Sequence, residues 1–138
     1  MRSRSESREA AVAPPGARHR DAIVCDDDPM VRRIVGAVLE RCGYVAVEGT
    51  GLASEALELA EAMQPAVIVL DLSLEEESGV EAIPELRRVA PHSPIVVYSG
   101  ADTLKDHARA AGAEIVIDKV SYANIERLED AIRSLTGD

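Results

Sequence analysis

Four apolar segments of the sequence end on residues whose side chains could take part in chemistry. Asp26 and Asp27 follow residues 22–25, Asp71 follows residues 66–70, Ser99 follows residues 95–98, and Lys119 closely follows residues 115–117. A carboxylate nucleophile beside further carboxylates, a hydroxyl donor and an ammonium group suits phosphoryl transfer that forms an acyl phosphate. The sequence therefore predicts a phosphoryl-transfer site centred on Asp71.

The same carboxylates are candidate metal ligands. Three carboxylates held close together repel one another, and a bound cation would compensate that repulsion. Asp26, Asp27 and Asp71 offer hard oxygen ligands of the kind that Mg²⁺ prefers, and Mg²⁺ also shares phosphate oxygens. The backbone carbonyl of Ser73 is well placed as a further ligand, and Lys119 can pair with Asp71 or with a phosphoryl oxygen.

Alternating strands and helices are predicted to position these side chains. The apolar runs are rich in β-branched residues and have the length of strands buried on both faces. Asp28 is predicted to cap a helix rather than to bind metal, because Pro29 follows it. We predict strands over 22–25, 44–47, 66–70, 95–98 and 114–117. We predict helices from Pro29 up to Gly43, over 52–63, over 80–89, from Asp102 to Ala111 before Gly112, and from the cap Ser121 to about Leu135.

Five strands that alternate with five helices predict an α/β fold with a doubly wound parallel sheet of the flavodoxin-like type. Right-handed crossovers place the carboxyl ends of all strands on one rim. A strand order of 2-1-3-4-5 would bring the first and third strands together at the switch point. Asp26, Asp27 and Asp71 would then be neighbours.

Length and charge limit the domain organisation and the partners. The chain of 138 residues fits one domain, and its core must rely on Ala, Val, Ile and Leu because only three residues are aromatic. Residues 1–20 carry a charge of +3 and form an Arg- and Ser-rich segment that we expect to be a disordered tail, with the folded domain over 21–138. Residues 21–138 carry a charge of −13, which argues against direct nucleic-acid binding.

The sequence also bears on the compartment. Cys25 and Cys42 form neither a disulfide framework nor a metal-binding motif, and we interpret them as apolar fillers in a reducing cytoplasm. The longest apolar runs are far shorter than a membrane span, and the first residues lack the apolar stretch of a secretory signal. We therefore expect a cytoplasmic protein without membrane insertion.

Residues 21–136 resemble the receiver domain of two-component response regulators. The acid pair Asp26 and Asp27 follows the first strand, Asp71 ends the third, Ser99 ends the fourth and Lys119 ends the fifth. Gly79 stands eight residues after Asp71, as in receivers. Each piece is common alone, but the full set in this order is specific.

The resemblance implies that Asp71 accepts a phosphoryl group from a histidine kinase or histidine phosphotransferase. Asp27 and Asp71 would bind Mg²⁺ directly, Asp26 mainly through water, and Ser73 through its carbonyl, while Ser99 and Lys119 would contact the phosphoryl group. The chain would be a phosphoacceptor signalling domain and not an enzyme, with at most Mg²⁺-dependent self-phosphorylation from phosphodonors and slow autodephosphorylation. Output would use the face of the fourth helix, fifth strand and fifth helix.

Three features depart from the usual receiver pattern. The loop 74–79 has no proline, although receivers often have one soon after the phosphoacceptor. Val120 stands where receivers usually place proline, often with a cis bond; a cis bond before a non-proline residue costs roughly 2.5–4 kcal/mol, so we predict a trans bond. Val116 occupies the position of the aromatic switch residue, so a relay here cannot use ring rotation.

Several functions remain open at this stage. We favour a stand-alone receiver that acts by binding an output partner or by relaying phosphate. The alternative is a phosphorylation-independent, receiver-like interaction module, which the three departures favour and the retained site residues disfavour. A hydrolase of the haloacid-dehalogenase type is disfavoured because Ser73 stands where such enzymes need a second acid. A flavodoxin-like cofactor binder is disfavoured because the rim lacks a phosphate-cradling loop.

Overall fold

A parallel sheet flanked by helices forms the body of the protein in a computed structural model, which describes residues 20–74, 78–100, 104–119 and 123–136. The strands are β1 (Asp21–Cys25), β2 (Ala46–Thr50), β3 (Val67–Leu70), β4 (Ile95–Ser99) and β5 (Ile115–Asp118). The helices are α1 (Pro29–Arg41), α2 (Ala53–Met63), α3 (Gly79–Val89), α4 (Lys105–Ala111) and α5 (Ala123–Thr136). The strand order is β2-β1-β3-β4-β5, which confirms the predicted fold class and topology.

The core has one layer on each face of the sheet, because successive side chains of a strand point to opposite faces. Ile23, Cys25 and Ile68 lie in the layer that α2, α3 and α4 cover. Val24 and Val69 lie in the layer that α1 and α5 cover. All four residues of β3 are buried, as expected for a central strand covered on both sides.

Two helix starts close to the predicted site are fixed by capping side chains. Asp28 accepts a hydrogen bond of 2.9 Å from the N–H of Met30 and precedes Pro29, so the predicted cap is confirmed. Ser78 accepts a hydrogen bond of 3.2 Å from the N–H of Glu81 at the start of α3. These caps hold the first turns of α1 and α3 beside the carboxyl ends of the central strands.

The predicted boundaries of the second strand were wrong. The strand covers Ala46–Thr50 instead of residues 44–47, because Gly49 and Thr50 continue the pairing with Val24 and Cys25. Tyr44 belongs to the turn after α1, where its N–H donates to the carbonyl of Leu39 and its ring is buried.

Other predicted boundaries are close to the observed ones. Helix α4 begins at Lys105, and Gly112 follows its last residue with a φ of 120°, a left-handed value that favours glycine. The predicted caps Asp102 and Ser121, the trans bond before Val120 and residues 1–19 of the tail predicted over 1–20 lie outside the described residues. Among the described helices, none has the length and apolar character needed to cross a membrane.

Candidate functional site

The register of β1 and β3 brings the first acids of the site together. Cys25 pairs with Leu70 at the end of the two strands, and the N–H of Asp71 donates to the carbonyl of Cys25 at 2.9 Å. Asp26 and Asp71 therefore leave adjacent strands at the same level. Carboxylate oxygens of Asp26, Asp27 and Asp71 lie within 4.8 Å of one another, so the predicted cluster is present.

Burial makes this cluster electrostatically costly. Asp26 is 3% exposed and Asp71 is 4% exposed, whereas Asp27 is half-buried. Burial raises the pKa of Asp26 above its ordinary value, and the charge of Asp71 raises it further, although hydrogen bonds from Lys119 and from the N–H of Asp28 oppose the change. A cation at this cluster would offset both the burial and the repulsion.

Lys119 already supplies part of that compensation. Its ammonium nitrogen lies 2.8 Å from Oδ2 of Asp26 and 3.5 Å from Oδ2 of Asp71. Burial lowers the pKa of Lys119, but the hydrogen bonds and charges of the two carboxylates outweigh this and raise it overall. The predicted ion pair between Lys119 and Asp71 is therefore present, and Lys119 makes a second, shorter contact with Asp26 that the sequence did not predict.

Ser99 lies beside the peptide that follows Asp71. Its side chain is fully buried, and its hydroxyl oxygen accepts a hydrogen bond of 3.3 Å from the N–H of Leu72. The carbonyl of Ser99 accepts a bond of 3.1 Å from the N–H of Lys119, because β4 and β5 pair at this level. Ser99 thus links the backbone after Asp71 to the strand that carries Lys119.

The loop after Asp71 is closed by backbone contacts with the start of α3. The N–H of Ser73 donates to Oδ1 of Asp71 at 3.3 Å, and Ser73 forms a bridge with Ser78. The N–H of Gly79 donates to the carbonyl of Leu72 at 3.2 Å. These contacts hold Ser73 directly beside the carboxylate of Asp71.

Glycine is required at position 79 by close approach. A Cβ atom built on Gly79 would lie 2.3 Å from the carbonyl oxygen of Asp71 and 2.7 Å from Cα of Leu72. No side chain fits at these distances, so only glycine lets α3 begin against the backbone of Asp71. The eight-residue spacing between Asp71 and Gly79 therefore has a steric cause.

Two contacts near the site had no place in the sequence-based prediction. Arg32 of α1 donates from Nη1 to the backbone carbonyl of Asp26 at 2.7 Å. Lys105 of α4 lies 3.2 Å from Oδ1 of Asp118, the residue before Lys119. Lysine is rare in this chain, which has only two, and this rarity could have drawn attention to Lys105. Arg32 carried no comparable signal, because its contact depends on the path of the backbone.

The donor set fits a divalent cation that prefers oxygen. Three carboxylates and one ammonium group leave a formal charge of −2 at the cluster. Hard carboxylate oxygens and a backbone carbonyl are ligands of Mg²⁺ and Ca²⁺ rather than of softer metals. The arrangement can therefore hold such an ion next to the carboxylate of Asp71.

Comparison with known sequences identifies a matching family and several relatives. The family model described as the response regulator receiver domain matches residues 22–133. The transcriptional regulatory protein PdtaR of Mycobacterium tuberculosis is 31% identical over 96 residues, which are 68% of this chain and 46% of that protein. The chemotaxis protein CheY of Thermotoga maritima is 30% identical over 100 residues, which are 70% of this chain and 82% of that protein. The chain thus spans about half the length of PdtaR.

Solved structures show the same fold. A response regulator from Burkholderia pseudomallei, solved with a phosphorylated aspartic acid, a calcium ion and citrate, is similar with a TM-score of 0.73 and 29% identity, covering 86% of this chain and 69% of that one. A CheY-like receiver domain from Methanospirillum hungatei has a TM-score of 0.77 and 22% identity, covering 87% and 95%. The second likeness concerns the fold alone.

Proposed function

Because this chain belongs to the response regulator receiver domain family, we propose that Asp71 is a phosphoacceptor that takes a phosphoryl group from a phosphohistidine. The donor would be a histidine kinase or a histidine phosphotransferase. The observation that carries this proposal is the position of Asp71, a carboxylate 4% exposed, within 4.8 Å of two further carboxylates and 3.5 Å from the ammonium of Lys119. The Burkholderia response regulator was solved with a phosphorylated aspartic acid and a calcium ion, which supports the proposal.

Asp26, Asp27, Asp71 and the backbone carbonyl of Ser73 would hold Mg²⁺. When bound, this ion would supply positive charge next to the oxygens of the transferring phosphoryl group. Asp26 belongs to this set although Lys119 donates to its Oδ2 and the N–H of Asp28 donates to its Oδ1, because each carboxylate oxygen can accept a second hydrogen bond, here from a water on the ion. The predicted ligand role of Ser73 rests on its place beside Asp71.

The transfer step would be a nucleophilic displacement at phosphorus. A carboxylate oxygen of Asp71 attacks the phosphorus, the new P–O bond forms, and the P–N bond of the phosphohistidine breaks with its electron pair going to the imidazole nitrogen. The product is an acyl phosphate on Asp71. Lys119, released from its carboxylate partners, and the hydroxyl of Ser99 would contact the phosphoryl oxygens.

The acyl phosphate would be lost slowly to water, which attacks the phosphorus and returns Asp71 as a carboxylate. This makes the chain a signalling domain with slow autodephosphorylation rather than an enzyme acting on a separate substrate. We place the receiver domain at 21–138, after an Arg- and Ser-rich tail over 1–20, in the cytoplasm. Output would come from a partner protein or from onward phosphate transfer.

The output surface would be the face made by α4, β5 and α5. All four residues of β5 are partly exposed, unlike the buried residues of β3 and β4. Val116, on this strand, contributes a small apolar side chain in place of an aromatic ring. An apolar strand edge of this kind suits a protein partner.

One specific feature favours a second candidate, a phosphorylation-independent interaction module. Val116 removes the ring whose rotation would report phosphorylation at the output face. A protein of this kind would keep the fold and bind its partner equally well with or without phosphate. The two candidates differ in whether Asp71 becomes phosphorylated.

Intact mass measured after incubation with acetyl phosphate and Mg²⁺ tests the proposal. We expect one phosphoryl group on the wild type, none on Asp71→Asn, and none when Mg²⁺ is chelated. Asp28→Asn is a matched control, because Asp28 caps α1 without belonging to the carboxylate cluster, and it should remain phosphorylated. If the wild type gains no phosphoryl group and beryllofluoride does not bind either, the interaction module is the better account.

A further inference from the structure

Arg32 reaches from the first turn of α1 to the loop that carries the carboxylate pair. Its Nη1 donates to the backbone carbonyl of Asp26 at 2.7 Å, six residues earlier in the chain. A guanidinium bound to a carbonyl in this way holds the carbonyl direction, because its planar donors lie in a fixed geometry. The side chain therefore acts on the backbone between Asp26 and Asp27.

Two glycines leave room for this side chain at the end of β2. A Cβ atom on Gly49 would lie 3.3 Å from Cδ of Arg32, and a Cβ atom on Gly51 would lie 3.4 Å from Nη1 of Arg32. A side chain at Gly49 would press on the arginine, and a Cβ atom at Gly51 would lie in van der Waals contact with its guanidinium group. The end of β2 is thus shaped to let Arg32 pass to the loop.

The bond that Arg32 makes controls the peptide that leads into Asp27. The carbonyl of Asp26 and the N–H of Asp27 belong to one planar unit, so fixing the carbonyl fixes the plane. On the other side of Asp26, its N–H donates to the carbonyl of Thr50 at 2.9 Å. Asp27 is half-buried and belongs to the carboxylate cluster, and this plane fixes the Cα position from which its carboxylate reaches the cluster.

We propose that Arg32 is a positioning residue for divalent-cation binding, acting through the backbone of Asp26 to aim the carboxylate of Asp27. This inference rests on the proposed function, since it concerns the same metal ligands. The two effects of Arg32 on a cation have opposite signs. Its positive charge weakens cation binding, whereas the aimed carboxylate strengthens it, and the second effect outweighs the first.

The neighbouring Arg33 separates these effects. It lies on the same helix with the same charge, but its side chain is exposed, and among the described residues it forms no hydrogen bond or ion pair with residues 26–28. Removing Arg33 changes the charge near the site without changing the backbone of Asp26. Arg33→Met is therefore the matched control for Arg32→Met.

Isothermal titration calorimetry of the full chain with Mg²⁺ measures the Mg²⁺ affinity of the wild type, Arg32→Met, Arg32→Lys and Arg33→Met. We expect Arg32→Met to bind Mg²⁺ about tenfold more weakly, as is typical when a residue that orients a metal ligand is lost. Arg33→Met should bind as tightly as the wild type or more tightly. Arg32→Lys keeps the charge and one donor, so it should recover part of the affinity.

The outcomes separate this inference from the proposed function. A wild type that binds no Mg²⁺ overturns both. A wild type that binds Mg²⁺, with Arg32→Met equal to or tighter than Arg33→Met, overturns the inference and leaves the proposed function standing. If Arg32→Met does not fold, the comparison of Arg32→Lys with the wild type decides, and equal affinities overturn the inference.

Discussion

The ammonium nitrogen of Lys119 lies 2.8 Å from Oδ2 of Asp26 and 3.5 Å from Oδ2 of Asp71, so one cation serves two buried carboxylates. Without it, the site would hold uncompensated negative charge in an environment of low polarity. The shorter bond goes to Asp26, the residue whose pKa burial raises. Lys119 therefore compensates part of the negative charge of the acid cluster, and in the proposed function it would also contact the phosphoryl group.

Lys119→Gln should destabilise the metal-free protein. The variant leaves Asp26 and Asp71 without their shared cation, and we expect a loss of about 2–3 kcal/mol, below the range for fully buried pairs because Lys119 is partly exposed. Mg²⁺ should stabilise this variant more than the wild type, since the ion replaces the missing charge and no ammonium competes with it. Urea unfolding with and without Mg²⁺ measures both effects.

Lys105→Gln is the control for that experiment. Lys105 pairs with Asp118, which lies outside the carboxylate cluster, so the response to Mg²⁺ should equal that of the wild type. An equal gain from Mg²⁺ in Lys119→Gln and in the wild type would contradict the shared role of Lys119.

Gly79→Ala should disturb the loop that follows Asp71, the proposed phosphoacceptor. The new Cβ would meet the carbonyl oxygen of Asp71 at 2.3 Å, so α3 or the loop must move. We expect a loss of about 3 kcal/mol, which is at the upper end for overpacking because the obstacle is backbone. Denaturant unfolding gives the stability, and the rate of phosphorylation from acetyl phosphate should fall even where the variant is folded.

Gly36→Ala is the matched control. Gly36 lies inside α1, and a Cβ atom there would meet nothing within 4 Å. Alanine is a better helix former, so this variant should gain about 0.5–1 kcal/mol. A loss of stability at both glycines would show that general sensitivity to alanine, rather than close approach to Asp71, explains the first result.

The fold and the site residues could be predicted from the sequence because their signals are local. Each apolar run marks a strand, and the alternation with helices determines that all strand ends meet on one rim. Asp71, Ser99 and Lys119 stand directly at those ends, so the topology alone brings them together. The observed strand order and the cluster around Asp71 agree with this prediction.

The sequence could not predict contacts that depend on the exact path of the backbone. The contact of Arg32 with the carbonyl of Asp26 requires the loop geometry and the open space at Gly49. The end of β2 was misplaced because Gly49 is a poor strand former, and pairing with Val24 outweighs its intrinsic preference. In both cases tertiary packing, rather than local pattern, decides the structure.

Phosphorylation should change the environment of both lysines. Lys105 pairs with Asp118 at 3.2 Å, and Asn124 of α5 donates to the carbonyl of Asp118, so the residue before Lys119 is joined to α4 and to α5. A movement of Lys119 toward a phosphoryl group would pull on this residue. The pair of Lys105 and Asp118 offers a connection from the site to the proposed output face that needs no aromatic ring at Val116.

Selective ¹³C labelling of lysine gives a direct measurement, because the chain has only two lysines. Lys105→Arg assigns the two signals. Beryllofluoride with Mg²⁺ should shift the signal of Lys119 and also that of Lys105, and Asp118→Asn should abolish the second shift while keeping the first. A Lys105 signal that stays constant would contradict a connection through Asp118.

Glu129 of α5 forms an ion pair with Arg41, the last residue of α1, and so joins the two helices. Nη2 of Arg41 lies 2.7 Å from one of its carboxylate oxygens, and Nη2 of Arg133 lies 2.7 Å from the other. Hydrogen bonds from Arg41 and then from Arg133 lower the pKa of Glu129 below its ordinary value of 4.5. The folded state therefore favours the ionised carboxylate.

Glu129→Gln should lower the midpoint of urea unfolding at pH 7, and the difference from the wild type should depend on pH. A lowered carboxylate pKa contributes stability that is fully present above the unfolded pKa and is lost as pH falls through the folded pKa. The two unfolding midpoints should thus converge on acidification below pH 4.5, and high salt should narrow the gap at pH 7. Asp130→Asn, an exposed change on the same helix outside its first turn, should leave the midpoint at pH 7 close to that of the wild type. A gap for Glu129→Gln that persists in acid would show that packing, rather than the charge of Glu129, holds α1 and α5 together.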